Sequence, residues 1–409
     1  MHAGGIYGRW VSSWSGHRVL GVDAARGLAL LGMMAVHIVP PLDADGQVTV
    51  AFQLAAGRSS ALFAVLAGVG LALLTRWSPS TSARQRGRDR VAVLVRALLL
   101  TIIGLALAIP DSGVAVILVY YGVMFALAVP FLGLRPAALA GWSAGVVLIV
   151  PLLLHLLRPV LPTPSYASPG ADFLDGGLWA GLSELTITGI YPALPWMAYV
   201  LAGLAVGKLD LRSPVLARRL LVGGAALALG AHMLSRVLLG RGGGLTALQE
   251  DAPSVQGRPL AETLDVGLYG TTPTGSWWWL AVDAPHSSTP LDLAATIGSS
   301  LAVLGFFLLV VRVPRWWARP LIAVGGMTLT LYTLHVILLG SLLPRSLDHA
   351  YLWHVAVIVT VAMVWRRYVG QGPLELMTQQ VSRRVSYLLI PSRGEAASSA
   401  GTTSRTSPP

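Results

Sequence analysis

The stretch VDAARGLALLGMMAVH, residues 22 to 37, decides how the rest of the chain is read. It has the apolar content of a membrane-crossing helix, yet it carries Asp23, Arg26 and His37 where a lipid-facing segment would carry only apolar side chains. On a helix advancing about 100° per residue, Arg26 and His37 lie roughly 20° apart around the axis, and Asp23 falls within about 60° of both. All three share one narrow stripe. A charged side chain at the centre of a spanning helix costs about 2.5–3.5 kcal/mol on the insertion scale, so such groups face a bundle interior or a watery cavity. Three on one stripe predict a polar cavity beside this helix. A plain ion pair between Asp23 and Arg26, three residues apart, is the bland alternative for those two.

The composition supports a bilayer as solvent. Of 409 residues 54% are hydrophobic and only 11% charged, with a mean hydropathy of +0.67, against about 25% charged in soluble domains. The chain is therefore expected to be a multi-pass membrane protein. Apolar runs predict an all-α, polytopic helix bundle of about ten transmembrane helices, at 19–39, 57–75, 91–109, 113–132, 136–157, 192–207, 217–240, 291–311, 320–343 and 351–368. The charge of +11 rests on arginine, with a single lysine, Lys208. These arginines sit between apolar runs and form no nucleic-acid-binding stripe. They read as topology signals: the basic segments 76–90, 208–219 and 312–319 all fall on one side of a ten-span chain, which is then cytoplasmic. The alternate loops carry Asp43, Asp45, Asp111, Asp172 and Asp175, then Glu250, Asp251, Glu262, Asp265 and Asp283, and face outward. Both termini are expected in the cytoplasm, with residues 1–390 forming the transmembrane domain. The tail 391–409, rich in Ser, Thr, Gly and Pro without apolar period, is expected to be disordered.

Other features exclude classes of chemistry. There is no cysteine, hence no disulfide, thiolate nucleophile or zinc-thiolate site, and no metal site is expected. The first apolar run lacks a small-x-small cleavage site and should stay as an uncleaved helix. No glycine-rich loop of Walker or Rossmann type is present. Trp277–Trp279, Trp316 and Trp317 read as interfacial anchors. Segment 178–190, broken by Gly189, Pro192 and Pro195 and carrying Glu184, reads as a short interfacial or re-entrant piece. The first and ninth helices both run outward, which places His37 and His335 in the outer half of the bilayer. His155 and His232 fall at comparable depth, each alone more typical of a structural histidine. Arg58 at the outer end of the second helix and Arg96 at the inner start of the third read individually as snorkelling residues.

At these residues a family resemblance enters. Arg26, ten residues and His37 on the first helix resemble the motif of membrane acyltransferase-3 type enzymes and their relatives. SSALFAVLAGVGLAL, YYGVMFALAVPFL, YPALPWMAYVLAGLAVGKLDL, GGMTLTLYTLHV and GPLELM match, in order and spacing, the YeiB-type and heparan-alpha-glucosaminide N-acetyltransferase-like branch. The resemblance implies a ten-helix bundle that takes an acyl group from cytoplasmic acyl-CoA, acetyl-CoA above all, and delivers it to a glycan, lipid or amine at the outer face. It implies His37 as the chemical histidine and Arg26 as a donor-site residue. The residue types agree: thioester transfer needs a base of pKa near ambient pH, and a guanidinium suits pyrophosphate or an amide better than an ammonium. His335 is then a candidate second base or acceptor contact, Arg96 a second donor residue, and Asp23, Arg58 and Glu184 supports, Glu184 as a carboxylate to orient an imidazole. A transporter or flippase with the polar stripe along its path is the alternative. The composition suggests a bacterial plasma membrane, and a homodimer is left open.

Overall fold

The computed structural model describes residues 18–78, 80–109, 112–163, 168–170, 175–270, 272–312 and 316–391. The tail expected to be disordered lies, after Pro391, outside the described residues, as do Asp111, Asp172 and Arg315 of the charged loops. The described chain is nearly all α-helical. Its helices are α1 (Leu20–Ile38), α2 (Val50–Ala55), α3 (Arg58–Thr75), α4 (Ala83–Ala108), α5 (Leu118–Ala128), α6 (Pro136–Leu157), α7 (Leu178–Ser183) and α8 (Ala193–Gly207). The second half adds α9 (Pro214–Gly240), α10 (Gly244–Asp251), α11 (Leu260–Val266), α12 (Pro290–Val310), α13 (Arg319–Gly325), α14 (Thr328–Leu339), α15 (Ala350–Tyr368) and α16 (Pro373–Leu389). Between α10 and α11 a two-strand antiparallel hairpin pairs Ser254–Val255 with Arg258–Pro259.

Among the described residues six helical stretches are long and apolar enough to cross a membrane, and up to nine if each of three bent pairs counts as one span. The apolar stretch Leu118–Gly133 is shorter, because residues 113–117 approach it without helix and the chain tightens to a 3-10 turn from Val129 at Pro130. α1 sits inside the bundle, against α3, α12, α13, α14 and α15. The perimeter is apolar: Leu98 and Ile102 of α4, Leu148 and Ile149 of α6, and Val222 and Leu229 of α9 are exposed. In water that surface would be costly, and in lipid it is the natural solvent contact.

The expected continuous span 320–343 is instead two helices, α13 and α14, bent by 79°. Two features make the break. Gly325 packs so closely on α1 that a Cβ there would stand 1.6 Å from the Asp23 carbonyl oxygen. The N–H groups orphaned at the start of α14 are then taken up from another helix: Glu375 of α16 accepts from the backbone N–H of Leu329 at 2.7 Å and of Thr330 at 3.2 Å, and from the Thr330 hydroxyl at 2.6 Å. An interrupted helix at membrane depth survives where its freed polar groups are satisfied by protein. The piece 178–190 is also broken, as α7 and a π-helical turn over Glu184–Thr188, bent by 47° against α8.

Candidate functional site

The bundle has an arginine-rich end and an opposite end, and α1 runs between them with Arg26 toward the first and His37 toward the second. At the arginine-rich end Arg76, Arg86, Arg135, Lys208 and Arg212 line an open cavity of about 820 Å³. Leu73 joins its wall to that of a second cavity, about 390 Å³, which penetrates the bundle and is lined by Arg18, Arg26, Arg96, Phe63, Gln371 and Glu375 among others. The Arg26 guanidinium crosses to α3, where it donates to the Leu66 carbonyl at 3.3 Å. It fits there because α3 presents Gly70, at which a Cβ would stand 2.7 Å from the guanidinium nitrogen Nη2.

At the opposite end a smaller cavity of about 180 Å³ is lined by His37, Ser59, Tyr191, Tyr269, His286 and Arg345 among others. Met33, one helical turn before His37, lines both this cavity and the 390 Å³ one. Tyr332 of α14 lines the larger one and stands edge-on to the His37 ring, 6.5 Å between centroids. His37, Met33 and Tyr332 thus form the wall at which the two cavities approach from opposite ends.

His37 does not stand alone. Its Nδ1 lies 3.2 Å from His335 Nε2, with the two rings stacked at 9°. His335 Nδ1 lies 3.0 Å from Nδ1 of His354, on α15, and His354 Nε2 lies 2.9 Å from the Leu343 carbonyl oxygen. Hydrogen-bond accounting assigns the protons of this chain when all three rings are neutral. A carbonyl only accepts, so His354 Nε2–H donates to Leu343 and His354 Nδ1 is an acceptor. His335 Nδ1–H therefore donates to His354, which leaves His335 Nε2 to accept from His37 Nδ1–H. His37 Nε2 is then the nitrogen with a free lone pair, the form a general base requires. His335 and His354 are completely buried, and the backbone of His37 is anchored by Arg345, whose Nε donates to the His37 carbonyl at 2.5 Å and whose Nη2 donates to the Gly113 carbonyl at 2.8 Å.

The structure therefore brings His37 to His335, and Arg26 to Arg96, as two pairs at two cavities. The other candidate residues stand elsewhere. Asp23 is buried between Arg18 at 3.8 Å and Arg26 at 3.6 Å and lines neither cavity, the arrangement of a supporting ion pair. Arg58 is exposed and donates to the Gln53 carbonyl at the start of α3. Glu184 is buried on its π-helical turn, also outside both cavities, and the group that holds the His335 ring is His354. His155 packs on the Trp277 ring at 4.5 Å, and His232 Nδ1 pairs with Asp283 at 2.6 Å, apart from the relay. Sequence reasoning passed over His354, His286, Arg345, Tyr332 and Glu375. His286, in the connection before α12, is held between the rings of Tyr269 (5.1 Å, 20°) and Trp196 (6.1 Å, 11°), and burial pushes its pKa down to about 4. Among the described residues no group of three or more His, Asp or Glu stands in a geometry that could hold a metal ion.

Comparison with known proteins gives no match to a curated protein. The family model described as heparan-alpha-glucosaminide N-acetyltransferase, catalytic, matches residues 18–239, more than half of the chain and a stretch that includes Arg26, His37 and Arg96. This multi-pass membrane protein belongs to the heparan-alpha-glucosaminide N-acetyltransferase catalytic family.

Proposed function

We propose that the protein transfers an acyl group, acetyl by preference, from acyl-CoA at the arginine-rich end to an acceptor at the opposite end, with His37 as general base. One observation carries the reading: two cavities enter from opposite ends and are separated by a wall containing an imidazole whose free nitrogen is set by a hydrogen-bonded relay. The cationic cavities suit a polyanionic nucleotide thioester, with Arg18, Arg26 and Arg96 as its contacts inside the bundle. The thioester carbonyl comes to the wall beside Tyr332 and Met33, and the acceptor comes to His37 from the other side. The basic segments argue for a cytoplasmic arginine-rich end, and the arginine-rich, lysine-poor composition for a bacterial plasma membrane.

The test uses sealed membrane vesicles of both orientations with acetyl-CoA outside and release of the CoA thiol as readout. Inverted vesicles are expected to be active and right-side-out vesicles inactive until permeabilised. Equal activity in both, or solute movement through the wall without thiol release, would refute the reading and favour a transporter.

A further inference from the structure

We propose that α4 and α16 together seat the headgroup of an anionic phospholipid in the leaflet at the arginine-rich end. This seat is independent of the acyl-transfer reading.

The burial pattern of α16 points to a lipid surface. The face it turns to the protein is small and polar, with Thr378, Ser382 and Ser386 buried. The face it turns away carries Met377, Tyr387 and Leu388 together with Arg383 and Arg384, all exposed. A helix docked in water has the opposite arrangement. Apolar side chains interleaved with arginine are what a helix presents at the surface of a bilayer, and α16 leaves α15 at a bend of 57°, inclined to the spanning direction.

Its depth agrees. α16 runs beside α4: at its start Glu375 and Thr378 line the 390 Å³ cavity with Arg96, and just past its end the Ile390 carbonyl accepts from Arg88 Nε at 2.7 Å. On α4, Leu94 and Leu98 are exposed on the apolar perimeter. Arg88 precedes Leu94 by six residues, about 9 Å at 1.5 Å per residue, enough to pass from the hydrocarbon into the headgroup layer.

At that level cations gather without anions. The guanidinium carbons of Arg88 and Arg383 lie 4.1 and 5.7 Å from the centre of the Tyr387 ring. Gln380, Arg383, Arg384 and Tyr387 line an open groove of about 380 Å³. Behind it Arg88 is only 9% exposed, and its Nη2 is buried with no hydrogen-bond partner. Among the described residues no Asp or Glu forms an ion pair with Arg88, Arg383 or Arg384. The nearby carboxylates are committed elsewhere: Asp89 accepts from Trp77 and Gln85, and Glu375 from the start of α14. Three guanidinium groups gathered here repel one another, and a phosphate relieves that repulsion through charge-assisted hydrogen bonds. The apolar side chains on the same face select a phosphate that carries acyl chains over a soluble one.

The test follows thermal unfolding of the delipidated full-length protein in neutral detergent, titrated with phosphatidylglycerol or phosphatidylcholine, because a ligand held by the folded state raises the midpoint. Phosphatidylglycerol is expected to give a saturable rise that about 0.5 M salt suppresses, and phosphatidylcholine none. Arg383→Gln/Arg384→Gln is expected to weaken the apparent affinity about 25-fold, roughly fivefold for each arginine, and Arg383→Lys/Arg384→Lys to keep most of it. Arg218→Gln/Arg219→Gln, which removes an exposed arginine pair from α9, should leave it unchanged. No rise with phosphatidylglycerol, equal rises with both lipids, or a lysine pair as weak as the glutamine pair overturns the inference. Equal weakening by the two glutamine pairs also overturns it, since basic residues then attract an anionic surface without a seat. A full rise with glycerol 3-phosphate alone makes the groove a soluble-phosphate site, and a CoA-induced rise lost in Arg383→Gln/Arg384→Gln assigns it to the acyl donor. Either result overturns the lipid.

Discussion

His354 offers the sharpest test of the relay, because it lies outside both cavities and can act only through His335. In His354→Ala the His335 Nδ1–H, completely buried, loses its acceptor. Leaving a buried donor unpaired costs about 1–3 kcal/mol. His335 escapes that cost by moving its proton to Nε2, which then donates to His37 Nδ1 and leaves the His37 proton on Nε2, the nitrogen that should be the base. The same energy that held the correct tautomer is thus lost from the transition state, about 5- to 150-fold in kcat at 1.4 kcal/mol per tenfold. KM for acyl-CoA should not move, since no donor contact is touched. Glutamine at this position can repeat both roles, with its amide oxygen accepting from His335 and its NH₂ donating to Leu343. His354→Gln is therefore expected to recover most of the rate lost in His354→Ala, whereas His354→Leu is not. The assay is acyl-CoA turnover per mole of monodisperse purified protein. Normal kcat in His354→Ala, or a His354→Gln variant as slow as His354→Leu, would refute the relay.

His37→Ala is expected to lose at least about 10²-fold in turnover while still retarding CoA on an affinity column, and Arg26→Ala to raise KM for the donor, with Arg26→Lys restoring only part because a point charge lacks the guanidinium fork. Gly70→Val, which drives a side chain into the space of the Arg26 guanidinium, should mimic Arg26→Ala in steady-state kinetics. Stability should fall on acidification: His286 titrates at about 4 in the folded protein and near 6.5 unfolded, so the unfolded state binds the extra proton and stability is lost as pH drops from about 6.5 toward 4, by up to about 3 kcal/mol. Thermal unfolding in detergent across that range reads it, and His286→Gln should flatten the curve. Reporter fusions at 85, 214 and 316 should read cytoplasmic and those at 45, 168 and 265 external; a cytoplasmic reading at 265 would refute the assigned orientation.

What the sequence revealed, and what it hid, follows from the range of the interactions. The stripe of Asp23, Arg26 and His37 was legible because helical periodicity is local, and the polar cavity it called for is present at both Arg26 and His37. Depth along two parallel spans places His335 and His37 in the same half, but it places His155 and His232 there too, and only the packing of α14 on α1 separates His335 from those two. His354 carried no such signal: it stands near the start of α15, where a histidine reads as interfacial, and its partnership depends on how α14 and α15 cross. The break in the ninth span was hidden for a similar reason. Gly325 and Gly326 marked a weak point, but the bend also depends on Glu375, 46 residues beyond the Leu329 N–H that it accepts. Glu184 is the converse case: a lone carboxylate in an apolar segment reads, on residue type, as a partner for an imidazole, whereas its turn lies outside both cavities.

The distribution of charge along α1 explains why the bilayer tolerates its stripe. Asp23 sits between Arg18 and Arg26 and balances one of them. Glu375, the carboxylate on the wall of the 390 Å³ cavity, already has its oxygens committed to the start of α14. The cavity is therefore left with more arginine than carboxylate, a surplus that hydrocarbon would penalise and that water or a bound polyanion relieves. Toward His37 the stripe changes character: the three imidazoles satisfy one another and end on a backbone carbonyl, so a neutral relay can be buried where a second charge could not. On the proposed function, one helix thus supplies a cationic grip at one end and an uncharged base at the other, about 16 Å apart along its axis at 1.5 Å per residue. That separation is of the order needed if the anionic part of a donor is to stay at one face while its thioester reaches a wall deep in the membrane.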